Sequence, residues 1–398
     1  MPADALVADL TAALDAVPVI DPHSHIDPHA AASKSLDDIL GYHYYTELAH
    51  SAGMPKAALD APPRERCRAI LGYMDRFDNT AQYAWFVDIC RTFLGWEKDT
   101  VSAADADELF DRSERQFGRP GWTQEVAAAT KLEGVFLTNE FDDPLTGFDT
   151  NVYVPCLRAD ALVFKFEEPA IKERLAKTTG IDAGDLPTLR KAVRVLFERF
   201  TAKGAKACAI SLPHDFAPTP AGNSMFWMLA EHCREFGLPF DLMIGVTREV
   251  YPGGVHQGRD LFDRGGSLVQ YRELFNAFPE VTFPVSVLTG SQNQELVAYS
   301  WIFPNVVTCG HWWYSNLPAY IARDTAERLS GVPKTKQVGY YSDAYKLEFV
   351  LPKYRMYRRV LAGVLADEFV RPGRLTEAGA VALGTRLLRD NVRDIFKV

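Results

Sequence analysis

Eight short apolar runs, separated in the second half of the chain by amphipathic stretches, set the strongest limit on what these 398 residues can fold into. The runs cover 17–20, 132–137, 159–164, 206–211, 240–246, 281–288, 305–309 and 337–341. Each is short and followed by polar, Gly or Pro residues, the pattern of a buried strand. Apolar residues at helical spacing fill 186–200, 224–236, 268–278, 293–303, 317–329 and 353–365. Strands that alternate with helices pair in parallel through right-handed crossovers. Eight such units predict an α/β fold, a closed (β/α)8 TIM-type barrel. The chain has no Gly-x-Gly-x-x-Gly loop, so an open dinucleotide-binding sheet lacks its fingerprint.

One connection is far too long for a barrel loop. Roughly 110 residues separate the first strand from the second, well beyond a normal βα link. Helical patterns at 36–52, 64–77, 81–93 and 103–117 mark this segment as an insertion near the barrel mouth. The expected organisation is therefore 1–35 for the first strand and start of the barrel, 36–125 for the insertion, and 126–398 for the rest. A closing helix is expected over 376–396.

Composition excludes several classes of partner. A net charge of −9 offers no basic field for nucleic acid or an anionic membrane surface. Cys67, Cys90, Cys156, Cys208, Cys233 and Cys309 are scattered without Cys-x-x-Cys spacing, as reduced core residues are. Neither a signal-peptide pattern nor an apolar run of membrane-spanning length is present, which makes the cytoplasm the expected compartment. Self-association into a homo-oligomer is compatible with all of this.

The chemistry of a (β/α)8 barrel sits at the carboxyl ends of its strands. His23 and His25 follow the first run in Asp-Pro-His-Ser-His, and i,i+2 spacing on extended backbone points both imidazoles to one side. Asp343 stands at the tip of the eighth strand, which neighbours the first in a closed barrel. A His, His, Asp set suits one divalent ion, zinc or manganese, with positions left for water or substrate. Strand ends also offer His214 after the fourth strand, Arg248 after the fifth, and His311 in Cys-Gly-His-Trp-Trp after the seventh. Arg158 precedes the third expected strand, at the wrong end for a site. Lys206 begins the fourth strand, so a bridging carboxylated lysine of a binuclear centre is not expected.

Several segments form a recognisable series: Asp-Pro-His-Ser-His (21–25), Gly-Tyr-His-Tyr-Tyr-Thr-Glu-Leu-Ala-His-Ser-Ala-Gly (41–53), Thr-Asn-Glu-Phe-Asp-Asp-Pro (138–144), Leu-Arg-Ala-Asp-Ala-Leu-Val-Phe (157–164), Leu-Met-Ile-Gly-Val-Thr-Arg (242–248) and His-Trp-Trp-Tyr-Ser-Asn (311–316). Ser-Asp at 342–343 and Tyr-Arg-Met-Tyr-Arg-Arg-Val-Leu, ending at 361, complete the series. Together these segments resemble the amidohydrolase superfamily, and within it the uronate (glucuronate/galacturonate) isomerases. The resemblance implies aldose–ketose isomerisation of an open-chain sugar acid through an enediol, with a metal ion holding the substrate oxygens. It implies that His43 and Tyr44 lie near the reacting carbons, that Arg158 grips the carboxylate, and that Trp312 and Trp313 wall the pocket. Either Asp343 or Tyr44 as phenolate is open as the base at C2.

The chain departs from the family pattern at three places. Met243 stands where the strand-five motif has a histidine, and Tyr345 where an arginine follows the strand-eight aspartate. His311 replaces a small residue. Loss of the arginine removes a charged fork for carboxylate, so a metal-dependent hydrolase of an amide, ester or lactone is the alternative, and a silent sugar-binding homologue a third.

Overall fold

The computed structural model describes residues 4–220 and 223–398, and within them the chain folds as a (β/α)8 barrel. Its strands are β1 Val19–Asp21, β2 Leu132–Phe136 continued by Asn139–Glu140, β3 Tyr153–Val154 continued by Cys156–Arg158, and β4 Ala207–Pro213. They are followed by β5 Phe240–Thr247, β6 Phe283–Val287, β7 Val306–Cys309 and β8 Gln337–Val338. Neighbours pair in parallel in chain order from β1 to β8. The last gap closes beyond the strand ends. The Asp343 N–H donates to His23 O at 3.1 Å, and the His25 N–H donates to Ala344 O at 2.8 Å.

Alternation along the strands sorts the core into two layers. On β5, Phe240, Leu242 and Ile244 pack outward with the surrounding helices, whereas Met243 and Val246 join the inner cluster. On β4, Cys208, Ile210 and Leu212 face out while Ala207 and Ala209 face in. The inner cluster also takes Val392 and Phe396 from the last helix, Asn391–Phe396, which plugs the barrel floor. All six cysteines are free and buried. No described helix is long and apolar enough to cross a membrane.

The third strand lies earlier in the chain than its apolar run suggests. Residues 159–164 form a short helix, Asp160–Phe164, and the strand is the stretch before it. A short apolar run fits a buried helix as well as a strand, and Pro155, which lacks an N–H for the ladder, disguises the true strand. The correction moves Arg158 from the base of β3 to its carboxyl end. The eighth strand is also shorter, because the Ser342 N–H turns to the Asp21 carboxylate instead of continuing a ladder.

Between β1 and β2 the chain is helical, with Leu36–Leu40, His43–Ser51, Pro63–Leu71, Ala81–Leu94, Ala106–Phe117 and Trp122–Thr130. The pattern over 36–52 is two helices, since Tyr42 is extended between them. Glu348 ties this segment to the barrel by accepting from Ser33 N at 2.8 Å and Trp122 Nε1 at 2.8 Å.

Candidate metal centre and its cavity

A cavity of about 220 Å³ opens at the carboxyl ends of the strands, and His23, His25 and Asp343 line it together. His23 Nε2 and His25 Nε2 each lie 3.4 Å from Asp343 Oδ1, and the two imidazole rings are perpendicular. One ligand atom from each residue lies within 4.8 Å of the others. Among the described residues this is the one such group of three.

The donor set fits a cation. His23 Nε2 and Asp343 Oδ1 are buried and have no hydrogen-bond partner, which polar atoms in a protein interior rarely tolerate. The neighbouring hydroxyl prepares His25. Thr138 Oγ1 lies 3.1 Å from Ser24 O, to which it donates, and 2.9 Å from His25 Nδ1. Having donated its proton, that oxygen accepts from Nδ1–H, leaving the Nε2 lone pair free toward Asp343. Electrostatics agree. Burial pushes the Asp343 carboxyl up, but the two histidines overcome it and hold it below the usual carboxylate range. Burial likewise works against a charge on His23, yet Asp343 raises its pKa overall, whereas in His25 burial prevails and lowers it. Asp343 adopts the left-handed backbone region, φ 53°, rare for a residue with a Cβ.

His43 lines the same cavity, with Nδ1 2.8 Å from Glu47 Oε1 one helical turn on. A carboxylate at Nδ1 fixes the tautomer and orients the ring, as in acid–base pairs generally. The i,i+4 spacing of Glu47 from a candidate histidine is the sequence signal that marks it.

Arg158 and Arg248 both reach the cavity, and each faces a carboxylate there. Arg158 Nε lies 3.3 Å from Asp160 Oδ2, and Arg248 Nη1 lies 2.6 Å from Asp260 Oδ2. Trp312 and Trp313 also line it together, since β7 has ended at Cys309 and strand alternation no longer separates them. Met243 and Tyr345, two of the three departures, sit in the wall. Tyr345 packs on His25 with ring centres 4.9 Å apart, and its hydroxyl accepts from Gln257 Nε2 at 3.3 Å. Gln257 and Asp260 come from the long loop after β5, which no sequence signal marked.

Three expected residues lie elsewhere. Tyr44 faces a neighbouring, larger cavity; its buried hydroxyl has no partner, and burial raises its pKa well above the phenol range. That environment opposes a phenolate. His214 does not line the cavity shared by His23, His25 and Asp343, and its Nδ1 lies 2.9 Å from Thr247 Oγ1. His311 is buried behind β7, with Nε2 3.3 Å from Thr325 Oγ1. Burial first, then the Arg328 charge, pushes its pKa well below the imidazole range. The turn at Gly310 (φ 50°) sends His311 that way, and a Cβ at 310 would collide with the Tyr341 ring.

Comparison with known proteins follows the same line. No family model matches the chain. A uronate isomerase of Corynebacterium efficiens is 24% identical over 467 aligned positions, covering 100% of this chain and 97% of that protein. The crystal structure of uronate isomerase from Thermotoga maritima superposes with a TM-score of 0.90 at 19% identity, over 99% of this chain and 97% of that one. This is the uronate isomerase fold. Glucuronate isomerase from Caulobacter crescentus likewise gives a TM-score of 0.90 at 20% identity, covering 100% of this chain and 95% of its own. The correspondence thus runs through the barrel and the helical segment after β1 alike.

Proposed function

We propose that the chain is a metal-dependent aldose–ketose isomerase acting on a sugar acid of uronate type. The observation that carries the reading is the convergence of His23, His25 and Asp343, with unpartnered ligand atoms, on the floor of a cavity that also holds a histidine–glutamate pair. Relatives along the whole chain that are named uronate isomerases support it; nothing among them favours the hydrolase alternative.

His23, His25 and Asp343 would hold one divalent ion, zinc or manganese, and the ion would supply positive charge to stabilise developing negative charge on substrate oxygens. The remaining roles belong to the protein. His43 takes and returns the proton that moves between C2 and C1, and Glu47 keeps Nδ1 protonated so that Nε2 does this work. Asp343, held ionised beside the two histidines, is the weaker base of the two. Arg158, at the end of β3, binds the carboxylate. Its contact with Asp160 favours its charged form, and Arg248 Nη1 lies 2.6 Å from Asp260 Oδ2. Trp312 and Trp313 exclude water from one wall. The segment 36–125 is an insertion whose His43–Ser51 helix delivers the acid–base pair.

Proton NMR of metal-loaded and metal-stripped protein with D-glucuronate, D-galacturonate and other sugar acids tests the reading. Ketose formation that needs the metal is the expected result. A metal-loaded protein that converts none of the sugar acids, but opens a lactone, would overturn it.

A further inference from the structure

Lys353 is completely buried, and among the described residues it has no ion pair with a carboxylate. It projects from the helix Val350–Leu365 into a box of aromatic rings. Its Nζ lies 4.8 Å from the Trp85 ring centre, 4.9 Å from that of Tyr42 and 5.2 Å from that of Tyr44. Cation–π contacts of this kind offset part of the loss of water around an ammonium group. A leucine or methionine would fill such a box without that cost, so packing alone does not explain a lysine.

Its two hydrogen bonds do. Nζ donates to Ser342 O at 2.8 Å, the carbonyl immediately before Asp343. It also donates to the Tyr42 hydroxyl at 2.9 Å, and Tyr42 in turn donates to Asp343 O at 2.8 Å. One ammonium group thus pins the carbonyls on both sides of the Asp343 Cα, one directly and one through a phenol. Asp343 is the residue whose left-handed backbone needs such restraint, because strained conformations persist only where their surroundings over-determine them.

We propose that Lys353 is a positioning residue for the metal centre, acting through Ser342 and Tyr42 to hold Asp343 with its carboxylate turned toward His23 and His25. The proposal rests on the reading of those three residues as metal ligands. Groups that orient ligands in this way typically affect metal affinity by about 10- to 100-fold.

The test is zinc and cobalt affinity, measured by competition with a chromophoric chelator, alongside thermal melting and the cobalt absorption spectrum. Lys353→Met keeps the stem in the aromatic box, Tyr42→Phe removes a single oxygen, and Lys353→Arg restores a charged donor. Lys353→Met and Tyr42→Phe should each weaken binding by about tenfold or more, with an altered cobalt spectrum, and Lys353→Arg should recover part of the loss. Variants that melt lower yet bind metal as tightly as the parent would make Lys353 a packing residue and overturn the proposal. His23→Ala separates the two levels of the argument. If it loses the metal while Lys353→Met and Tyr42→Phe keep it, only the positioning role falls. A parent protein that binds no metal overturns both.

Discussion

The two sides of the reaction cavity are built differently. On the side where β8 meets β1, His23 and Asp343 are nearly inaccessible, and backbone hydrogen bonds join the two chain segments directly. On the opposite side, Arg248 and Gln257 belong to an exposed excursion after β5, held by the Arg248–Asp260 pair and by Tyr314 donating to Asp260 O. On the proposed reading the first, buried side carries the chemistry, and the second, an exposed loop, carries recognition. Catalytic geometry tolerates little displacement, while a recognition surface can be rebuilt in a loop without disturbing the barrel. Tyr345 is where the sides meet, packed at a tilt on His25 and hydrogen-bonded to Gln257.

Changes on the buried side should have the largest effects. Asp343→Asn removes the charge that holds both histidines, and His23→Ala removes a ligand; each should eliminate stoichiometric metal and lower kcat by about 10³-fold or more. Elemental analysis and turnover assays check both. Next, His43→Ala should lower kcat by about 10²- to 10⁴-fold, the usual worth of a positioned acid–base group, with metal content unchanged. Glu47→Gln should produce a smaller loss in the same direction. On the recognition side, Arg158→Met should act mainly on KM, raising it by about 10- to 100-fold, since charged hydrogen bonds contribute about 1.5–3 kcal/mol. Gln257→Ala, the mildest, should change KM by no more than about 5-fold, about 1 kcal/mol, and leave kcat alone. If Gln257→Ala instead reduced kcat as much as His43→Ala, the division between the two sides would be wrong.

Asp241 offers a separate pH test of the barrel interior below Met243. It is buried, its Oδ1 has no partner, and burial pushes its pKa up to about 6. The folded value exceeds the unfolded one, so this carboxyl favours folding below about pH 4 and the advantage is lost as pH rises through about 6. Asp241→Asn should therefore raise the melting temperature of metal-free protein at pH 8, by the equivalent of at most about 3 kcal/mol. The gain should shrink toward pH 4. Equal gains at both pH values would contradict the assignment.

Much of the barrel, and the clustering of His23, His25 and Asp343, is legible in the sequence. Both follow from rules of order: apolar runs alternate with helical patterns, functional groups sit at strand ends, and the last strand adjoins the first. His23, His25 and Asp343 needed only those rules. The third strand is not legible there, because Ala-Asp-Ala-Leu-Val-Phe scans equally as helix or strand, and reading it as strand puts Arg158 at the wrong end of the barrel. Histidines after β4 and β7 passed the strand-end rule, but it says nothing of side-chain direction; Thr247 engages His214, and the Gly310 turn buries His311. Glu47 is readable from its i,i+4 spacing to His43, whereas Gln257, Asp260 and Lys353 reach their positions through tertiary packing. A lysine inside an amphipathic helix carries no local sign that it faces Tyr42 and Trp85.

The most direct test of the central claim is the fate of hydrogen at C2. A sugar acid deuterated at that carbon, followed by proton NMR with metal-loaded and metal-stripped protein, reports proton transfer itself. The account predicts ketose formation only with metal, slowed by the label, with deuterium moving to C1 or washing into solvent. Equal conversion by the stripped protein, or ketose formed without disturbing the C2 deuterium, would contradict it.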